Sequence, residues 1–141
     1  MKARTVEAHA RSLFAERWPA AARTLAGRVL RRLGDGRTLS VREDIFGVFD
    51  GAALELRPRL RLALVQWTTE GAAAARRRKV AERFLRPLGA EGATLAELAD
   101  LLAVEVWGCR RAGFRVWRFH FGTGARVREG SLRHARVRGS R

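Results

Sequence analysis

Asp50, Gln66 and Thr68 stand in two otherwise apolar runs, Ile45 to Leu56 and Leu60 to Thr68. A carboxylate, an amide and a hydroxyl inside buried strands carry a desolvation cost unless something satisfies them. A turn opening at Asp50-Gly51 and a strand end at Gln66 and Thr68 would satisfy them without any ligand. Shortly after comes Arg76-Arg77-Arg78-Lys79, four consecutive bases with no acid among them, and then Arg83. Such a run suits contact with phosphate groups; a solvated helix face is the plainer explanation.

The two apolar runs flank Arg57-Pro58-Arg59, and large or β-branched residues alternate in them with small or polar ones. This pattern reads as two strands joined by a tight turn. With the hairpin centred on Pro58, partners sum to 116, so that Asp50 faces Gln66 and Val48 faces Thr68. Directly opposed residues of an antiparallel pair project to one face, as do residues two apart. The three polar groups therefore converge, provided the turn holds this register.

The rest of the chain divides into elements that would hold this hairpin. Met1 to Leu33 reads as a helical lead-in interrupted at Trp18-Pro19, with a weak helix over about Val6–Arg17 and a stronger one over about Ala20–Leu33. In the second, Leu25, Val29 and Leu33 recur at helical spacing as a core face, and Gly34 is placed to cap it. Arg37 to Glu43 leads into the hairpin as a short strand. A helix over about Ala72–Leu88 carries the stripe Val80, Phe84, Leu88 and a basic flank. Thr94-Leu95-Ala96-Glu97 has the form of a capping box opening a short helix, and Ala103–Cys109 and Phe114–Phe121 alternate as strands. Trp67, Trp107 and Trp117 could stack on bases, although core packing is the commoner use of a strand tryptophan. His9, His120 and His134 show no ligand spacing.

Gly47-Val48-Phe49-Asp50, a hairpin, and then an amide two residues before a polar group resemble the PD-(D/E)XK nuclease-like superfamily. In its Holliday-junction-resolvase-like members an acid on one strand opposes a D/E/Q-x-K on the next, and a basic helix follows. The resemblance spans roughly residues 20 to 107. It implies an α/β fold, a small central mixed sheet flanked by helices, with a restriction-endonuclease-like α-β-β-α-β core. It also implies a magnesium ion shared by Asp50 and Gln66, an amide ligand being known in the Mrr-like branch. Asp44 is a further candidate ligand if the chain bends at Gly47; pairing with Arg42 is its plainer role. Thr68 stands where the family has its catalytic lysine, and threonine brings no charge. Lys79 could supply that lysine from the following helix, although it lies about two turns, roughly 11 Å, along it, and Arg76 is nearer the strand end.

At 141 residues the length suits one domain. The expected organisation is a nuclease-like domain over residues 1–121, its core from about residue 20, followed by a flexible basic tail over 122–141. The formal charge is +15, from 29 basic and 14 acidic residues. Only Lys2 and Lys79 are lysine, a bias typical of GC-rich coding, yet such coding does not explain the shortage of acids. A polyanion, DNA above all, is the expected partner. The lone Cys109 excludes an internal disulfide. With no signal-like or membrane-spanning run, a cytoplasmic location is expected. Two functions remain open from these residues: a magnesium-dependent endonuclease acting on DNA, or a catalytically inactive nuclease-fold protein that binds DNA or RNA or bridges it to a partner. Resolvase-like proteins are commonly dimers, so the resemblance adds a homodimer to the expectations.

Overall fold

Val6, Ala10 and Phe14 recur every four residues and share the buried face of the first helix, α1 (Ala3–Arg17). Trp18 is buried just beyond it, and Pro19 stops the helix. The computed structural model describes residues 3–111, 113–121 and 132–137. It is an α/β fold built on a mixed sheet.

The second expected helix does not form. Residues 20–22 make one 3-10 turn, followed by β1 (Arg23–Leu25) and β2 (Gly27–Arg32). Gly27 and the β-branched Thr24 and Val29 weaken a helix here. Strand pairing then decides: β1 takes the free edge of β4 (Gly51–Glu55), and β2 pairs with β3 (Thr38–Glu43) as a separate two-stranded ribbon. The supposed core stripe is consequently open to solvent at Leu33.

The hairpin register is as expected. Gly51 pairs with Val65, Ala52 with Leu64, and Glu55 with Arg61 in β5 (Arg61–Thr69). The first strand is shorter than expected, however. Residues 45–49 fold into a tight turn closed by hydrogen bonds between Ile45 and Phe49, with positive φ at Phe46 (53°) and Gly47 (70°). Val48 is therefore core rather than the partner of Thr68, and Asp50 sits one residue before β4.

A long helical segment follows: α2 (Ala73–Val80), one π turn over Ala81–Leu85, and α3 (Arg86–Ala90). Next is α4 (Leu95–Leu101), whose Thr94–Glu97 capping box is formed in both directions. The chain then enters β6 (Leu102–Arg110), which lies parallel to β5, and continues antiparallel through β7 (Gly113–Phe121) and β8 (Leu132–Val137). The six-stranded order is β1-β4-β5-β6-β7-β8. The strand β8 lies within the segment expected as a flexible basic tail; residues 122–131 and 138–141 lie outside the described ones.

Both faces of the sheet are covered. On one, α1 packs Phe14 and Trp18 against Val65, Trp67 and Trp107; on the other, Val80, Leu85, Leu95 and Leu98 pack against Leu64, Val104 and Val106. Burial on both sides explains why β5 and β6 read as nearly continuous apolar runs. The approach of α1 is close at Gly51, where a Cβ would come within 2.9 Å of the Phe14 ring. Among the described residues no helix is long and apolar enough to cross a membrane.

Candidate functional site

The carboxyl end of β5 is left uncapped by the two helical layers, and a cleft of about 320 Å³ opens there. Ends of central strands recur as binding sites because chain segments diverge from them and leave a crevice. Glu7 comes from α1, Arg42 from β3, Asp44 and Asp50 from either side of the 45–49 turn, Gln66 and Thr68 from β5, and Arg76 from α2. The bend at Gly47 brings Asp44 and Asp50 to one cleft, and Asp44 is also paired with Arg42, at 3.3 Å. The bend and the Arg42 pairing expected of Asp44 thus occur together.

Arg42 is the hub. Its guanidinium lies 2.5 Å from Asp50 Oδ1, 3.3 Å from Asp44 and 3.6 Å from Glu7. Asp50 Oδ2 accepts the Trp67 backbone N–H at 2.8 Å, and Glu7 Oε2 accepts the indole N–H of Trp67 at 2.8 Å. These two bonds tie the acids to β5. Burial raises the Asp50 pKa to about 6, against the opposing pull of the Trp67 N–H and Arg42 and with help from the charges of Asp44 and Glu7. Burial also pushes Glu7 upward, but bonds from Trp67 and Arg11 and the charge of Arg42 outweigh it, leaving Glu7 below the usual carboxylate range.

Gln66 differs from its neighbours. It is buried, lines the cleft, and its side-chain oxygen accepts no hydrogen bond among the described residues. A buried carbonyl oxygen without a partner costs about 1–3 kcal/mol. Gln66 thus lines the cleft with a side chain whose oxygen, shielded from solvent, is given neither a donor nor a cation by any described side chain.

The basic helix contributes less than its sequence suggests. Arg76 lines the cleft; Arg77, Arg78, Lys79 and Arg83 do not. Arg77 stacks over Trp117 at 4.5 Å, and burial lowers its pKa. Arg78 and Arg83 are exposed and Lys79 is half-buried. The two residues absent from the sequence-derived site are Glu7 and Arg42 in its role as hub. Glu7 stands beside the apolar stripe of α1, where a surface i,i+4 pair with Arg11 accounts for it locally. Among the described residues, no group of three or more His, Cys, Asp or Glu is arranged to hold a metal ion.

A second ionic cluster lies elsewhere on the sheet. Glu105, fully buried on β6, receives Arg17 at 2.5 and 3.2 Å, Arg118 at 2.7 and 3.0 Å, and the Trp107 indole N–H at 2.9 Å. Arg118 also bridges to Glu55, which takes Arg61 at 2.9 Å. Burial pushes the Glu105 carboxyl upward, but Arg17, Arg118 and Trp107 outweigh it and hold the group below its usual range. Every oxygen of this pair of carboxylates is engaged, so the cluster joins α1 to the sheet.

Compared with known proteins, the chain matches no family model, no curated protein and no solved structure.

Proposed function

We propose that this chain is a nucleic-acid-binding, nuclease-like protein whose cleft at the end of β5 engages the phosphodiester backbone of DNA and hydrolyses it with a divalent metal. The observation that carries this reading is the unpartnered Gln66 oxygen beside the raised carboxyl of Asp50, ringed by Arg42 and Arg76. The chain order also supports it. The antiparallel pair β4-β5, a helical crossover and a parallel β6 follow the β-β-α-β part of the order that the resemblance implies, although the helix expected over about 20–33 is replaced by β1 and β2.

The donors suit magnesium in kind, since Asp50, Asp44, Glu7 and Gln66 offer only oxygen. A bound magnesium ion would polarise the phosphate and lower the pKa of its water. Asp50 and Gln66 would hold it, with Asp44 or Glu7 completing the set once Arg42 turns away. Arg76, also lining the cleft, would take a phosphate oxygen. Thr68 can donate one hydrogen bond and carries no charge. Among the described residues no lysine lines the cleft, and Lys79, to which the resemblance offers the proton-handling role, lies outside it. Arginine stabilises charge but is a poor proton donor at neutral pH.

A second reading rests on Arg42. A guanidinium among three carboxylates already neutralises much of their charge and stands where a cation would. On that reading the protein binds nucleic acid without cutting it. Titration of Mg²⁺ and Mn²⁺ against branched and linear DNA decides between them. Cleavage that depends on metal and disappears in Asp50→Asn, with DNA binding retained, is the expected result. A wild-type protein inert with both metals leaves the binder.

A further inference from the structure

The ribbon formed by β2 and β3 stands outside the main sheet and carries charge in a sorted way. Its register pairs Arg28 with Arg42, Leu30 with Ser40, and Arg32 with Thr38; the alternate pairs are Val29 with Val41 and Arg31 with Leu39. Opposed residues share a face. One face therefore presents Arg28, Arg32 and Arg42 with Ser40, Thr38 and Leu30, and holds no acid. The other presents Val29, Val41, Leu39 and the Arg31–Glu43 ion pair at 3.5 Å.

Two features of the cationic face point to an anionic occupant. Arg28 lies directly across from Arg42, and like charges directly opposed on neighbouring strands destabilise the pair. The two take different partners: Arg28 bonds Ser40, while Arg42 reaches into the acids of the cleft. In addition, the face is continuous with that cleft, because Arg42 belongs to both. A protein partner fits poorly. Leu30 is the one apolar side chain on the Arg28/Arg32 face, Val29, Val41 and Leu39 all lying on the other, so the cationic face itself offers no apolar patch for one.

We infer that the β2–β3 ribbon is an arm for duplex DNA, inserted in the major groove with its Arg28/Arg32 face along the phosphates and delivering the backbone toward the cleft. The major groove of B-DNA, about 12 Å wide, admits a two-stranded β-ribbon, whereas the narrow major groove of A-form RNA does not. Six paired positions span roughly 20 Å at the usual strand rise. The inference rests on the nucleic-acid reading of the cleft but not on cleavage.

The test measures binding of the full chain, without metal, to a short DNA duplex and to the RNA duplex of the same sequence, between about 50 and 200 mM salt. Arg28→Gln/Arg32→Gln should reduce the slope of log affinity on log salt by about 1.8 for DNA, two phosphates at about 0.9 each. Affinity at the lower salt should fall roughly tenfold, with a much smaller loss for RNA. Arg31→Gln, on the other face, should leave both unchanged, and thermal melting of the variants should match wild type. A double variant that binds DNA with wild-type slope and affinity overturns the arm while leaving the cleft to be judged by Asp50→Asn. Equal losses for DNA and RNA overturn groove insertion. Loss on the ribbon variant together with a wild type inert to Mg²⁺ and Mn²⁺ upholds the arm and removes only the hydrolytic reading. A wild type that binds no duplex overturns the arm outright.

Discussion

Two clusters of carboxylates and arginines occupy this small sheet, and they are built to different ends. Around Glu105 the arginines outnumber the carboxylates, each oxygen has a donor, and the acid is held firmly ionised. Around Arg42 three carboxylates, Glu7, Asp44 and Asp50, meet one exposed guanidinium, Arg11 reaching only Glu7, and the carboxyl of Asp50 is raised to about 6. The first arrangement spends its charges on holding α1 to β6. The second leaves Asp44 and Asp50 sharing a single guanidinium beside an open cleft, with the buried oxygen of Gln66 lacking a donor among the described residues. Identical residue types thus give a structural joint in one place and a receptive site in the other. Strongly perturbed acids in a cleft are functional candidates for this reason.

The contrast can be broken most severely at Glu105. Glu105→Gln leaves Arg17 and Arg118 without their charge partner, and breaking a buried pair in this way costs about 3–5 kcal/mol. Urea unfolding at neutral pH reads it; a loss no larger than that of a surface substitution would refute the structural assignment.

Asp50→Asn should act in the opposite direction. The folded-state pKa of about 6 lies above the ordinary 3.8, so protonation favours the folded form. Its stabilisation is complete below the ordinary value and is lost as pH rises through about 6. Removing the charge should therefore stabilise the protein at pH 7, on the order of 2–3 kcal/mol, and flatten the pH dependence between those values. Glu105, held low, follows the other rule: its contribution is full above the ordinary carboxylate pKa and disappears only as pH falls through the depressed value. Melting curves across acid pH separate the two, and an unchanged slope in Asp50→Asn would show that this carboxyl is not raised.

A smaller effect sharpens the comparison at the hub. Arg42→Gln frees three acids from their internal cation, and Mg²⁺ affinity read by calorimetry should rise about tenfold, roughly 1.4 kcal/mol. No gain would mean that the acids do not converge on a cation site. The last change is Trp67→Phe, which removes one hydrogen bond to Glu7, about 1 kcal/mol, and adds the loss from shrinking a buried ring packed on Phe14 and Trp107. Chemical denaturation measures it, and a neutral result would show that Glu7 is held by Arg11 and Arg42 without Trp67.

The sequence by itself determined what local spacing can encode. The Pro58-centred register predicts each β4–β5 pair from Gly51 to Glu55, because strand alternation and a short turn leave few alternatives. The capping box at Thr94 and the strands β6 and β7 are legible for the same local reason. The convergence of Asp50 and Gln66 on one cleft follows from that register as well. Tertiary structure decided the remainder. The stretch from Arg23 to Arg32 carries an apolar spacing compatible with a helix, and became two strands because unpaired partners at β4 and β3 were available to it. Glu7 and Arg42 reach the site only because α1 packs across β5 and the ribbon folds back beside the 45–49 turn. Arg77 and Arg78 miss it because a helix turns by about 100° per residue, whereas Lys79 and Arg83 share the side of Arg76 but lie roughly 5 and 10 Å farther along the axis, so that of the basic run only Arg76 lines the cleft. Local patterns specify which residues share a face; the docking of distant segments specifies which faces meet.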